Sequence, residues 1–209
     1  MIHSIVFDMG NVLIHWAPEI FVGRLGVSEE DQALLLREVF QKVEWIRLDR
    51  GAVTHEEAIQ GICRRLPPRL HGCVETLVRG WWKPPLIPVE GMGDLVREVK
   101  TLGYGVYLLS NASRDLHSYF SRLPESQCFD GCFVSADWRL LKPQPEIFQR
   151  FLAHFKLRAQ ECFFIDDNLL NVEAAVDLGF SAAVFQWGLP ALRQELIAAG
   201  IPVRPATAP

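Results

Sequence analysis

Short apolar runs alternate with stretches of helical periodicity through the second half of this chain, and that alternation restricts the fold more than any other feature. The runs are YGVYLL (104–109), residues 132–134, CFFI (162–165) and AAVF (182–185), and SIVF (4–7) stands apart from them near the N-terminus. Each has the length and the β-branched or aromatic content of a strand. Between them, apolar residues recur at helical spacing over 91–102, 113–122, 145–155 and 170–178. Strand and helix in this alternation predict a mainly parallel sheet covered on both faces, an α/β doubly wound, Rossmann-like core.

From about residue 17 to 82 the text changes character. Leu34, Leu35, Glu38 and Val39 fall at helical spacing, and no convincing strand interrupts them. Thr54 followed by Glu57 forms a capping-box pattern ahead of Ala58, Ile59 and Ile62, and Asp49, Arg50 and Gly51 make the turn before it. Trp81-Trp82-Lys83-Pro84-Pro85 closes the stretch, because paired prolines cannot sit inside a helix. The predicted organisation is a core of residues 1–15 and 86–209 with a helical domain, 16–85, inserted in it. The tail PVRPATAP (202–209) is expected to fray.

With 21 Lys and Arg against 25 Asp and Glu, a net charge of −4, the chain has no basic stripe for a polyanion, so no nucleic-acid partner is expected. No apolar run reaches the roughly 20 residues of a membrane helix, and no basic–apolar leader opens the chain, so a cytoplasmic protein is expected. Five cysteines with no CxxC pair point to reduced thiols, and six scattered histidines without HxH or HxxxH spacing argue against zinc. A monomer or a homodimer fits equally.

In an open α/β sheet the ligand site lies beyond the carboxyl ends of the strands. Four such points are polar here: Asp8, Ser110-Asn111, Lys142 in LLKPQPEIF, and Asp166-Asp167. Carboxylates, a hydroxyl, an amide and a lysine together suit a hard cation and a phosphate. Any one alone is an ordinary turn or cap residue; the set carries the inference.

In that order the four points resemble the motifs of the haloacid dehalogenase superfamily: IVFDMGNVL the first, LLSNAS the second, LKPQPEIF the third and FFIDDNLLNVEAA the fourth. The GNV form of the first motif is most similar to the subgroup with bacterial α-glucose-1-phosphate phosphatase and the phosphatase domain of soluble epoxide hydrolases. The resemblance implies a Mg²⁺-dependent phosphatase acting on a small phosphorylated metabolite, such as a sugar phosphate, with a cap where the helical insert lies. Asp8 is then the nucleophile that becomes an aspartyl-phosphate. Asp8, the Gly10 carbonyl, Asp167 and Asp166 are the metal site. Ser110, Asn111, Lys142 and Asn11 bind the phosphate, with Lys142 also paired to Asp8. Asn171 has two open readings, support of the metal shell or a helix cap.

The chain departs from the family at Gly10, where most of these phosphatases carry an aspartate that moves protons. Losing such a group lowers rates by about 10²–10⁴-fold, so the chain needs a good leaving group, a proton carrier from the cap, for which His15 and Asn11 are nearby candidates, or else is slow. Trp16 and Trp45 are expected on the cap face toward the site, and Trp81-Trp82 as packing at the junction. Two rivals remain: a dehalogenase using Asp8 without metal, against which Asp166-Asp167 and Met9-Gly10-Asn11 speak, and a catalytically weak or vestigial member.

Overall fold

The computed structural model describes residues 1–186 and 188–205. Five strands form one sheet: β1 (Ser4–Phe7), β2 (Gly105–Ser110), β3 (Gly131–Val134), β4 (Cys162–Asp166) and β5 (Ser181–Val184), in the order β3-β2-β1-β4-β5. Every neighbouring pair is parallel, as the unbroken apolar runs require. Side chains alternate across the pleat. Ile5, Phe7, Val106, Leu108, Phe163 and Ile165 enter one hydrophobic layer, while Val6, Leu109, Phe133 and Phe164 enter the other.

The second layer is closed by the helix Pro145–Phe155, through Ile147, Phe148 and Phe151, and by Leu169–Asp177, through Ala175. The first layer takes Leu95, Val96 and Val99 from Met92–Thr101, and Leu192 and Leu196 from Leu189–Ala198. That last helix has no counterpart among the sequence expectations. Its apolar positions are interrupted by Arg193, which is buried because it pairs with Glu98 at 2.6 Å.

The end of the chain also departs from expectation. Val203 is buried, and the Arg204 N–H donates to Glu98 Oε1 at 2.5 Å, so the tail is docked through 204; residues 206–209 lie outside the described residues. Backbone donors that find an acceptor and an apolar side chain that finds a pocket hold this segment despite its prolines.

Between β1 and β2 run the helices Pro18–Gly23, Glu29–Leu35, Val43–Asp49, His55–Cys63 and His71–Gly80, with a π-helical turn at Leu36–Phe40. The Thr54–Glu57 capping box forms, each side chain accepting from the other's backbone N–H. Arg65 ties the helices by donating to Glu38 and, through both terminal nitrogens, to Glu44. The outgoing and returning connectors run side by side: the His15 N–H donates to Ile87 O and the Val89 N–H to Leu13 O. Arg122 holds the returning one by donating to the carbonyls of Trp82 and Pro84, both at 2.7 Å.

Candidate active site

Register sets the height of every strand end. Phe7 lies opposite Leu108 on one side and Ile165 on the other, so Asp8, Leu109 and Asp166 finish at one level on three adjacent strands. The chain runs from β1 to β2 and β3 on one side, then crosses from β3 to β4 on the other side of β1, which makes this edge the switch point where a ligand crevice opens.

Lys142 bridges that level. Its Nζ donates to Asp8 Oδ1 at 2.7 Å, to Leu109 O at 2.8 Å and to Asp166 Oδ2 at 2.6 Å, using all three ammonium protons. It also lies 5.3 Å from the centre of the Phe164 ring. Burial pulls its ammonium down, but Asp166 and Asp8 outweigh that and raise its pKa above the ordinary lysine value. The Asn111 side chain sets the lysine's position: its Oδ1 accepts from Lys142 N–H at 2.8 Å and its Nδ2 donates to Lys142 O at 2.9 Å.

The two adjacent aspartates have different surroundings. Asp166 is wholly buried, and beyond Lys142 its carboxylate accepts from the Asn168 N–H at 2.9 Å and from Asn171 Nδ2 at 3.0 and 3.1 Å. The helix Leu169–Asp177 is capped by Asn168, which excludes the cap reading of Asn171. Asp167 is part-exposed and accepts from Asn11 Nδ2 at 2.9 Å. Asn11, in the left-handed region at φ 55°, also accepts from the Trp16 N–H through Oδ1.

Asp8, Asp166 and Asp167 bring carboxylate oxygens within 4.8 Å of one another. Three carboxylates against one ammonium leave two negative charges. Burial pushes Asp8 up to about 7 in spite of Lys142, with Asp166 adding to the rise; burial and Asp166 likewise raise Asp167. An all-oxygen set short of two positive charges fits a hard divalent cation.

Asp8, Lys142 and Asp167 floor a cavity of about 240 Å³. Ser110 and Asn111 line it beside Asp8, Lys142 and Asp167, whereas His15 is exposed and outside the lining. Its far wall is aromatic. Trp16, Trp45 and Trp81 line it, with Trp16 edge-on to Trp81 at 4.6 Å and tilted against Trp45 at 5.6 Å. The tryptophan pair divides its work: Trp81 faces the cavity, and Trp82 stacks on Tyr119 at 5.4 Å as junction packing.

One further carboxyl stands in this wall. Asp49, the last residue of the helix Val43–Asp49, lines the cavity, and surrounding protein strips it of water enough to raise it well above the usual carboxylate range, against a hydrogen bond from the Ser113 N–H. In the sequence it is an aspartate in a turn before glycine, with no local signal to separate it from an ordinary turn residue.

The sequence model of haloacid dehalogenase-like hydrolases matches residues 2–179. The chain belongs to that family. A haloacid dehalogenase-like hydrolase is an enzyme, and a curated relative bears out the hydrolase class. The sesquiterpene phosphatase astK of Aspergillus oryzae is 30% identical over 175 residues, covering 83% of this chain and 85% of that protein. Two solved structures share the fold. A family enzyme from Bacteroides thetaiotaomicron in complex with magnesium and inorganic phosphate superposes with a TM-score of 0.66 at 22% identity, covering 90% of this chain and 96% of that one. The L-2-haloacid dehalogenase of Xanthobacter autotrophicus superposes with a TM-score of 0.66 at 17% identity, covering 96% and 84%. No helix among the described residues is long and apolar enough to cross a membrane.

Proposed function

We propose that this hydrolase is a Mg²⁺-dependent phosphatase for the monophosphate of a small, largely apolar alcohol, with Asp8 as nucleophile. The observation that carries the reading is the Lys142 ammonium clamped between Asp8 and Asp166 beside the open Asp167, on the floor of a cavity whose opposite wall is tryptophan. Asp8, Asp167 and the Gly10 carbonyl would hold the cation, which supplies the charge that lets a carboxylate approach a phosphate. Asp166, with every oxygen engaged, serves as the anchor that orients Lys142 rather than as a ligand.

Asp8 attacks phosphorus and carries the phosphoryl group as an aspartyl-phosphate until water displaces it, splitting one hard displacement into two easier ones. Lys142 and the Ser110 hydroxyl bind phosphoryl oxygens where charge is largest. Asn111 acts through Lys142, whose backbone it grips, and Asn11 through Asp167. The insert, 16–85, is read as the cap over the core, 1–15 and 86–209. Its aromatic wall favours an apolar leaving group over a sugar, whose hydroxyls would need polar partners; the phosphorylated sesquiterpenoid class named for the Aspergillus relative is a first probe.

Assay a panel of apolar and sugar monophosphates with and without Mg²⁺, with Asp8→Asn as control. Phosphate release that needs Mg²⁺ and falls on the order of 10⁵-fold or more in Asp8→Asn, the scale of losing a nucleophile, supports the reading. Release surviving in that variant sinks it, as does hydrolysis confined to metal-independent turnover of haloacids.

A further inference from the structure

Position 10 faces the nucleophile but offers no proton. A Cβ built on Gly10 would stand 3.9 Å from Asp8 Oδ2 and 3.4 Å from Trp16 Cβ, so the space where a longer side chain would lie is shared with Trp16. The two nearby polar residues do not replace it. His15 is exposed outside the cavity, and Asn11 is engaged on Asp167 and the Trp16 backbone. Tyr119 lines the cavity too, but its hydroxyl donates to Met9 Sδ at 3.7 Å, and burial raises it well above an ordinary phenol.

Asp49 is held differently. It comes from the insert, yet two contacts fasten its turn to the core. Ser135 Oγ donates to its carbonyl at 2.5 Å. Two residues on, Gly51 at φ +67° lies so close to the core that a Cβ there would be 2.1 Å from the Ala136 carbonyl oxygen. Asp49 is thereby the carboxyl residue of the insert that lines the cavity together with Asp8 and Lys142.

We propose that Asp49 is the general acid and base of this site, standing in for the side chain that Gly10 lacks. The inference rests on the phosphatase reading above. In the first step an Asp8 oxygen bonds to phosphorus, the bond from phosphorus to the leaving oxygen breaks, and Asp49 gives that oxygen its proton. Alcohol departs and Asp49 is left ionised. In the second step water attacks phosphorus and loses a proton to Asp49, and the bond between phosphorus and Asp8 breaks. Inorganic phosphate departs with both aspartates restored. Loss of surrounding water raises Asp49 above the usual carboxylate range, the direction a proton donor needs. The titratable groups that line the cavity with it are Tyr119, Asp8, Lys142 and Asp167, and Tyr119 is in turn influenced by Asp115, paired with His55 at 3.0 Å.

The test compares leaving groups. With Mg²⁺ present, single-turnover rates of the unaltered chain are measured on p-nitrophenyl phosphate, whose phenolate leaves without a proton, and on a series of alkyl phosphates. The same series is run on Asp49→Asn, which keeps the size of the side chain. The inference expects Asp49→Asn to lose about 10²–10⁴-fold on alkyl phosphates while its p-nitrophenolate burst stays within about threefold, since proton donation to a leaving group matters only when that group is a poor one. Equal losses on both, or none on the alkyl series, overturn it. If the variant does not fold, the unaltered chain still decides, because a rate falling steeply with the pKa of the leaving alcohol means no acid is at work. No phosphate release by the unaltered chain overturns the phosphatase reading and this inference together; release with the wrong leaving-group pattern overturns this inference alone.

Discussion

The floor and the far wall of the cavity are built on opposite principles. The floor is polar and densely hydrogen-bonded, with one lysine donating to three acceptors and a buried aspartate taking bonds from Lys142, Asn168 and Asn171. The wall is apolar, three tryptophans packed on one another with Phe40 behind Trp45 at 4.5 Å, and Asp49 is the exception in it. The difference teaches where each kind of residue can be tolerated. A low-dielectric floor holds charge only when each charge has a partner, whereas the wall meets whatever part of the substrate is not phosphate.

Removing the central partner should therefore do the most damage. Lys142→Met leaves Asp8 and Asp166 facing each other with no cation, and its stability in urea, measured in chelator, should fall by about 3–5 kcal/mol. A fall under about 1 kcal/mol would mean the floor is wetter than its burial implies. At the seam between the two regions, Gly51→Ala forces a side chain against the Ala136 carbonyl in a left-handed conformation. It should destabilise by about 1–3 kcal/mol, and because the turn carries Asp49, alkyl phosphate turnover should drop further than p-nitrophenyl phosphate turnover. Loss of stability without that selectivity would separate the seam from the chemistry. The wall alone should give the smallest effect. Trp45→Ala is expected to raise KM for an apolar monophosphate about tenfold, about 1.4 kcal/mol, with kcat and the KM for methyl phosphate little changed; a uniform change would assign Trp45 to folding rather than to specificity.

The strands and their polar ends were legible because their signals are local. An apolar run such as CFFI reads as a buried strand wherever it occurs, and the Thr54–Glu57 box announces its helix within four residues. Other features were hidden. The helix Leu189–Ala198 was missed because its apolar pattern is broken by Arg193, whose burial depends on Glu98, far away in the chain. Asn171 could not be assigned from its spacing, since a cap and a buried amide donor look alike until Asp166 is seen between Lys142 and Asn171.

The family and the parallel sheet, with Asp8, Ser110, Lys142 and the Asp166–Asp167 pair at its edge, followed from the sequence by itself, because strand periodicity and the chemistry of residues just past a strand are properties of short segments. Only the tertiary structure separated Asp166, saturated and buried, from Asp167, left open beside Asn11, and only it brought Asp49 across from the insert. Both depend on desolvation and on contacts between distant segments: which oxygens are already bonded, and which turn the core carbonyl of Ala136 admits by facing a glycine.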